Sequence, residues 1–172
     1  MCGFSGFVNP RRTSLDLMEK NISAMNSVLG HRGPDDSGTW SEKDSGVALG
    51  HRRLSILDLS SAGHQPMLSN SNRYVIVFNG EIYNHLKIRE SLNTIGNKAA
   101  SWQGHSDTET LLAAIELWGI ERTLKACVGM FSIALWDREE KALTLARDRF
   151  GEKPLYYGWF RNIFLFGSEL KA

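Results

Sequence analysis

Apolar positions along this chain repeat at two different spacings. Met18, Ile22, Met25 and Leu29 recur at the interval of one helical face, with Thr13 or Ser14 upstream as an N-cap hydroxyl and Gly30 as a stop. The spacing predicts a first helix between those marks. A second is predicted from Ser106, where Ser106-Asp107-Thr108-Glu109 has the form of a capping box; Leu111, Leu112, Ile115 and Leu117 follow before Gly119 ends it. Short runs of strand type occupy residues 4–8, 47–51, 74–78, 130–136, 142–146, 155–159 and 163–166. Several are apolar throughout, which predicts burial on both faces. Many strands with at least two helices give an α+β domain of two stacked sheets with helices outside, in a strand order that periodicity does not fix. No repeat, low-complexity tract or Pro/Ser-rich linker divides the chain, so residues 1–172 are expected to form one domain.

Composition narrows the classes. With 42% hydrophobic and 23% charged residues, and 20 Lys+Arg against 19 Asp+Glu, the chain has the balance of an ordinary soluble protein and offers no basic surface for nucleic acid. No apolar run reaches the roughly 20 residues of a membrane span, and no signal peptide opens the chain, so a cytoplasmic location away from membranes is expected. Five histidines lack metal-ligand spacing and no Cys-x-x-Cys occurs; no metal is expected. Of the two cysteines, Cys127 adjoins an apolar run and reads as core packing.

Cys2 reads differently. It follows the initiator Met, and the small Cys2 and Gly3 make Met1 a target for removal. The exposed α-amine, with an ordinary pKa near 8, is matched to a thiol of roughly 8.5, so one residue supplies nucleophile and base. Attack on a carbonyl also needs fixed N–H donors about 3 Å from the developing oxyanion. Asn79 and Gly80, expected at the end of an apolar strand, fit that need. Asn-Gly is also a hairpin signal, but Glu81-Ile82-Tyr83-Asn84 makes a poor return strand. A free amino acid would be gripped by one guanidinium and one carboxylate, for which Arg53 and Asp107 are the candidates. Both have plain alternatives, Arg52-Arg53 as a solvated pair and Asp107 as a complement to the helix dipole.

Five stretches occur in a familiar order: Met1-Cys2-Gly3-Phe4, His31-Arg32-Gly33-Pro34-Asp35-Asp36-Ser37-Gly38, Arg53-Leu54-Ser55-Ile56, Asn79-Gly80-Glu81-Ile82-Tyr83-Asn84 and Ser106-Asp107-Thr108-Glu109. Together they resemble class II glutamine amidotransferases, the N-terminal-nucleophile glutaminases. Gly129-Met130-Phe131 and the run Arg147-Asp148-Arg149-Phe150-Gly151-Glu152-Lys153-Pro154-Leu155-Tyr156-Tyr157 look more like asparagine synthetases than other members. The resemblance implies a four-layer αββα sandwich. It implies L-glutamine as substrate, Cys2 as nucleophile, and Asn79 with Gly80 as oxyanion hole. It further implies Arg53, which directly precedes Leu-Ser-Ile, on the substrate carboxylate, and Asp107 and Glu81 on its ammonium, with Leu54, Ile56 and Leu57 as backbone or wall contacts.

In such enzymes a second domain with a Ser-Gly-Gly-x-Asp-Ser-type loop amidates aspartate, and nothing like that loop occurs up to Ala172. The resemblance therefore implies a partner synthetase domain, in cis or trans. ATP and magnesium would belong to that domain and no cofactor to this one; a homodimer is compatible. Residues 147–157 are expected on the synthetase side. The sequence is also compatible with two other readings: amidation of a different carboxylate, such as a polysaccharide sugar acid, and a silent binding or regulatory module with Met1 retained.

Overall fold

The computed structural model describes residues 2–11, 13–55, 60–95 and 102–172. Strand β1 (Gly3–Val8) is followed by helix α1 (Leu15–Ser27) and the hairpin of β2 (Asp36–Glu42) and β3 (Val47–Arg53). After a single 3-10 turn at Ser61–Gly63 come β4 (Met67–Leu68), β5 (Tyr74–Ile82), and helices α2 (His85–Ile95), α3 (Asp107–Trp118) and α4 (Ile120–Ala126). The chain then runs through β6 (Gly129–Asp137), β7 (Ala142–Arg147), β8 (Tyr156–Phe160) and β9 (Ile163–Gly167). The strands form two antiparallel sheets, in the orders β2-β3-β1-β9-β8 and β4-β5-β6-β7.

The alternation of side chains across each strand sorts residues into three apolar layers. Phe4, Val47, Leu49 and Phe166 from the first sheet meet Val75, Val77, Ala134 and Trp136 from the second, making the inter-sheet core. Their neighbours Phe7 and Ala48 turn outward onto Met18 and Ile22 of α1. On the far side, Ile76, Phe78, Ile133 and Leu135 pack against Ile88, Leu111 and Ile115 of the helices. The central strands carry apolar side chains on both faces, as at Val47–Leu49 and Val75–Phe78, because each sheet is covered on both sides. The four layers are α1, sheet, sheet and α2–α4, which is the αββα sandwich expected from the resemblance.

Helices α1 and α3 lie where their signals put them: Ser14 Oγ accepts from Leu17 N, Ser106 Oγ accepts from Glu109 N, and Gly119 closes α3 at φ 80°. Leu117, on the predicted apolar set of α3, is nevertheless half exposed. Four elements were not anticipated. Strand β2 is polar and glycine-containing, β4 has two residues, α4 has seven and starts without a side-chain cap, and only Tyr83 and Asn84 separate α2 from β5. The Asn84 amide just before α2 is committed instead to Ala126 O and Val128 N, at 2.9 Å each.

Candidate active site

The inter-sheet core is continued at one end by polar side chains. Phe4, Leu49 and Val77 face this layer, so the alternation aims Cys2, His51, Arg53 and Asn79 into it as well. Phe4 pairs with His51 and Gly3 with Arg52, so one further step sets Cys2 opposite Arg53. Cys2 Sγ accepts from Leu54 N at 3.3 Å and donates to Leu54 O at 3.5 Å. The Cys2 carbonyl accepts from Arg32 Nε at 2.9 Å, and Arg32 Nη1 is paired with Glu169 at 3.0 Å. Glu169 also meets His31 at 2.9 Å and Lys171 at 3.3 Å. The bond from Arg32, ahead of those from His31 and Lys171, brings its carboxyl down to about 2. The residue carrying the sulfur is thereby fixed at the very start of β1.

A second set of groups lies on the edge of β5. Strand β4 pairs only with Val75 and Ile76, and side chains take over where it ends. The Phe78 N–H donates to Gln65 Oε1 at 2.7 Å and the Ile82 N–H to Asp107 Oδ2 at 2.9 Å. Ladder alternation directs the intervening Gly80 N–H to the same edge, where Gly80 lines a pocket. A Cβ on Gly80 would stand 2.3 Å from the Met130 oxygen, so the position admits no side chain. Asn79 faces the inter-sheet layer; it is buried, and its Nδ2 is a donor without a protein partner. Such an orphan is costly in a core and fits a group that donates to something bound. The expected strand end is corrected here: β5 runs on to Ile82 because β6 pairs with it as far as Gly129, so Asn79 and Gly80 stand inside a strand.

Opposite charges flank these donors. Arg53 is buried, its Nη1 donates to Ser60 O at 2.9 Å, and its guanidinium lies so close to Gly63 that a Cβ there would come within 2.0 Å of Nη2. It is no solvated surface pair with Arg52, which bonds Gly33 O at 3.0 Å on its own. Asp107 is the first residue of α3; burial pushes its carboxyl pKa up, opposed by the Ile82 N–H. Cys2, Arg53, Gly80 and Asp107 line one pocket, together with Leu54 and Gln65. Glu81 sits on the next residue of β5, half-buried and outside that lining. Ile56 and Leu57 lie outside the described residues.

Sequence reasoning missed several contributors. Gln65 bonds both Phe78 N and, at 3.3 Å, Thr108 Oγ1; no local pattern announced it. His51 has no metal-ligand spacing, but its place two residues before Arg53 on β3 puts it on the same face. Cys127 is buried, and burial, then the nearby Asp107, pushes its thiol up to about 11. Among the described residues no cluster of His, Cys, Asp and Glu could hold a metal ion. The pocket thus unites a thiol, the backbone of Gly80, a guanidinium and a carboxylate, a set able to add a sulfur nucleophile to a carbonyl of an amino acid held by its two charged ends, while the adjacent Asn79 is not among its lining residues.

The profile of the glutamine amidotransferase domain matches residues 1–172. A putative glutamine-hydrolysing asparagine synthetase 2 of Methanocaldococcus jannaschii is 36% identical over all of this chain, which covers 35% of it. The glutamine-hydrolysing asparagine synthetase 1 of Bacillus subtilis is 41% identical, again over the whole chain and 26% of its own length. The chain therefore spans about a quarter to a third of these relatives. The fold is shared with a glutamine phosphoribosylpyrophosphate amidotransferase from B. subtilis, at TM-score 0.75 and 20% identity, over 98% of this chain and 42% of that one.

Proposed function

The chain belongs to the glutamine amidotransferase domain family, and we propose on that footing that it hydrolyses L-glutamine to glutamate and ammonia through a thioester on Cys2. The observation that carries this reading is that Cys2, Arg53, Gly80 and Asp107 share one pocket beside the buried, unpartnered amide of Asn79. Arg53 holds the substrate α-carboxylate and Asp107 its ammonium, which leaves the side-chain amide directed at Cys2. With Met1 removed, the α-amine takes the thiol proton as Sγ attacks the amide carbon. Asn79 Nδ2 and the Gly80 N–H hold the oxyanion. Collapse breaks the C–N bond while the α-ammonium returns its proton to the departing nitrogen, releasing ammonia. Water, deprotonated by the same amine, then splits the thioester, and the proton returns to sulfur.

The ammonia acceptor is aspartate, activated with ATP and magnesium in a further part of the polypeptide or in a partner. The names of the M. jannaschii and B. subtilis relatives support this, as does the length by which they exceed this chain. The exposed side chains of Tyr157 and Trp159, which alternation puts on one face of β8, are suited to packing against such a domain. Glutamate release by the Met1-processed protein, measured beside Cys2→Ala, tests the glutaminase reading: a rate well above that of the variant is expected, and equal rates reject it.

A further inference from the structure

His51 stands behind the proposed oxyanion hole and has no part in the reaction written above. It is buried on β3, and its Nε2 lies 3.0 Å from the carbonyl oxygen of Phe78, across the gap between the sheets. A carbonyl oxygen only accepts, so Nε2 must carry the hydrogen, and Nδ1 is left with a lone pair and no protein partner. The Phe78 C=O shares the free edge of β5 with the Gly80 N–H, and its peptide unit leads directly into Asn79. An oxyanion hole requires donors. An unpaired carbonyl beside it would turn its negative end toward the developing charge and would let the Phe78–Asn79 peptide tilt.

We propose that His51 is a positioning residue for the oxyanion hole: its Nε2–H masks the Phe78 carbonyl and locks the Phe78–Asn79 peptide, which leads into the Asn79 side chain and the Gly80 N–H. Gln65 holds the N–H of the same residue on the same edge, at 2.7 Å, so both polar groups of Phe78 are pinned by side chains where β4 supplies no backbone. Burial keeps the imidazole neutral, with its pKa pushed down to about 4, so the bond persists throughout the neutral range. The inference rests on the oxyanion role proposed for Asn79 and Gly80.

Steady-state glutaminase kinetics of the Met1-processed protein test it, with Cys2→Ala as reference. His51→Leu should lower kcat about 10- to 100-fold, less than the loss of a whole donor, with KM held within about threefold. His51→Gln, whose amide N–H reaches a similar point, should recover kcat to within about fivefold of the parent. In an Asn79→Ala background the His51→Leu effect should shrink, because both changes act on one site. A kcat for His51→Leu equal to the parent's, while Cys2→Ala is inactive, overturns this inference and leaves the glutaminase reading intact. So does a loss confined to KM, or equal losses with and without Asn79. Equal activity of Cys2→Ala and the parent rejects the glutaminase reading itself. Should His51→Leu not fold, nitrogen-15 NMR of the histidines in the parent protein decides: the Nε2–H tautomer of His51 at pH 7 is required, and the Nδ1–H tautomer overturns the proposal.

Discussion

The space between the two sheets has two ends, built by the same strands under the same alternation. At the packed end Phe4, Leu49 and Val77 interlock, and Glu42 closes the gap beyond them. Glu42 accepts from Arg138 Nε at 2.9 Å, Lys141 Nζ at 3.0 Å and Trp136 Nε1 at 3.2 Å, joining β2 of one sheet to the turn after β6 of the other. At the other end the next inward positions hold Cys2, His51, Arg53 and Asn79. At the packed end the Glu42 carboxylate is held by three donors from the other sheet's side, whereas the open end leaves Asn79 Nδ2, His51 Nδ1 and Ser132 Oγ without a protein partner. Stability and chemistry are thus separated along a strand by a step of two residues, and substitutions at the two ends should affect different observables.

The sharpest break in that comparison is Cys2→Ala, expected to abolish glutamate release while leaving the melting temperature close to the parent's, since the thiol contributes only its bonds to Leu54. Asn79→Ala should lower kcat by about 10²- to 10³-fold, roughly 3 to 4 kcal/mol of transition-state stabilisation, with little change in KM. At the packed end Leu49→Ala should behave inversely, losing about 2–5 kcal/mol of folding stability by denaturant titration while kcat of the remaining folded protein holds.

Asp107→Asn keeps an acceptor for the Ile82 N–H but removes the charge, so KM for glutamine should rise about 10-fold or more with kcat less affected. Because burial raises the Asp107 pKa, the parent's KM should climb on acidification earlier than an exposed aspartate would allow, and Asp107→Asn should lack that rise. The smallest effect belongs to Glu42→Gln. Burial alone would raise the Glu42 pKa, but bonds from Ser45, Arg138, Lys141 and Trp136 hold it at about 2, against an ordinary 4.5. A depressed folded pKa contributes stability above the unfolded value and loses it as pH falls from about 4.5 toward 2. Glu42→Gln should therefore be less stable than the parent by about 1–2 kcal/mol near neutral pH, and the difference should close over that acidic window.

Much of this division was legible in the residues. Capping hydroxyls at Ser14 and Ser106 located α1 and α3, since an N-cap signal is local. Continuous apolar runs announced strands covered on both sides. The Asn79-Gly80 pair was correctly kept from a hairpin, yet its setting was misjudged: Glu81 and Ile82 extend β5 through pairing with β6, a partner about fifty residues away that local pattern does not reveal. Strand β2 was missed because its Asp-Ser-Gly-Thr-Trp-Ser-Glu sequence is held as a strand by β3 and covered by α1, not by its own propensity. Gln65 was missed for a related reason, since its side chain does the work of a backbone neighbour where β4 stops. His51 was within reach, because parity with Leu49 and Arg53 places it on the site's face.

The central claim, that the sulfur of Cys2 is the nucleophile and needs its own free amine, is tested most directly by intact and peptide mass spectrometry after reaction with a glutamine-like chloroketone. One adduct on Cys2 is expected in the Met1-processed protein, with Cys127 untouched, and a far slower reaction where Met1 is retained. Modification of Cys127 in place of Cys2, or equal rates with and without Met1, would contradict the account.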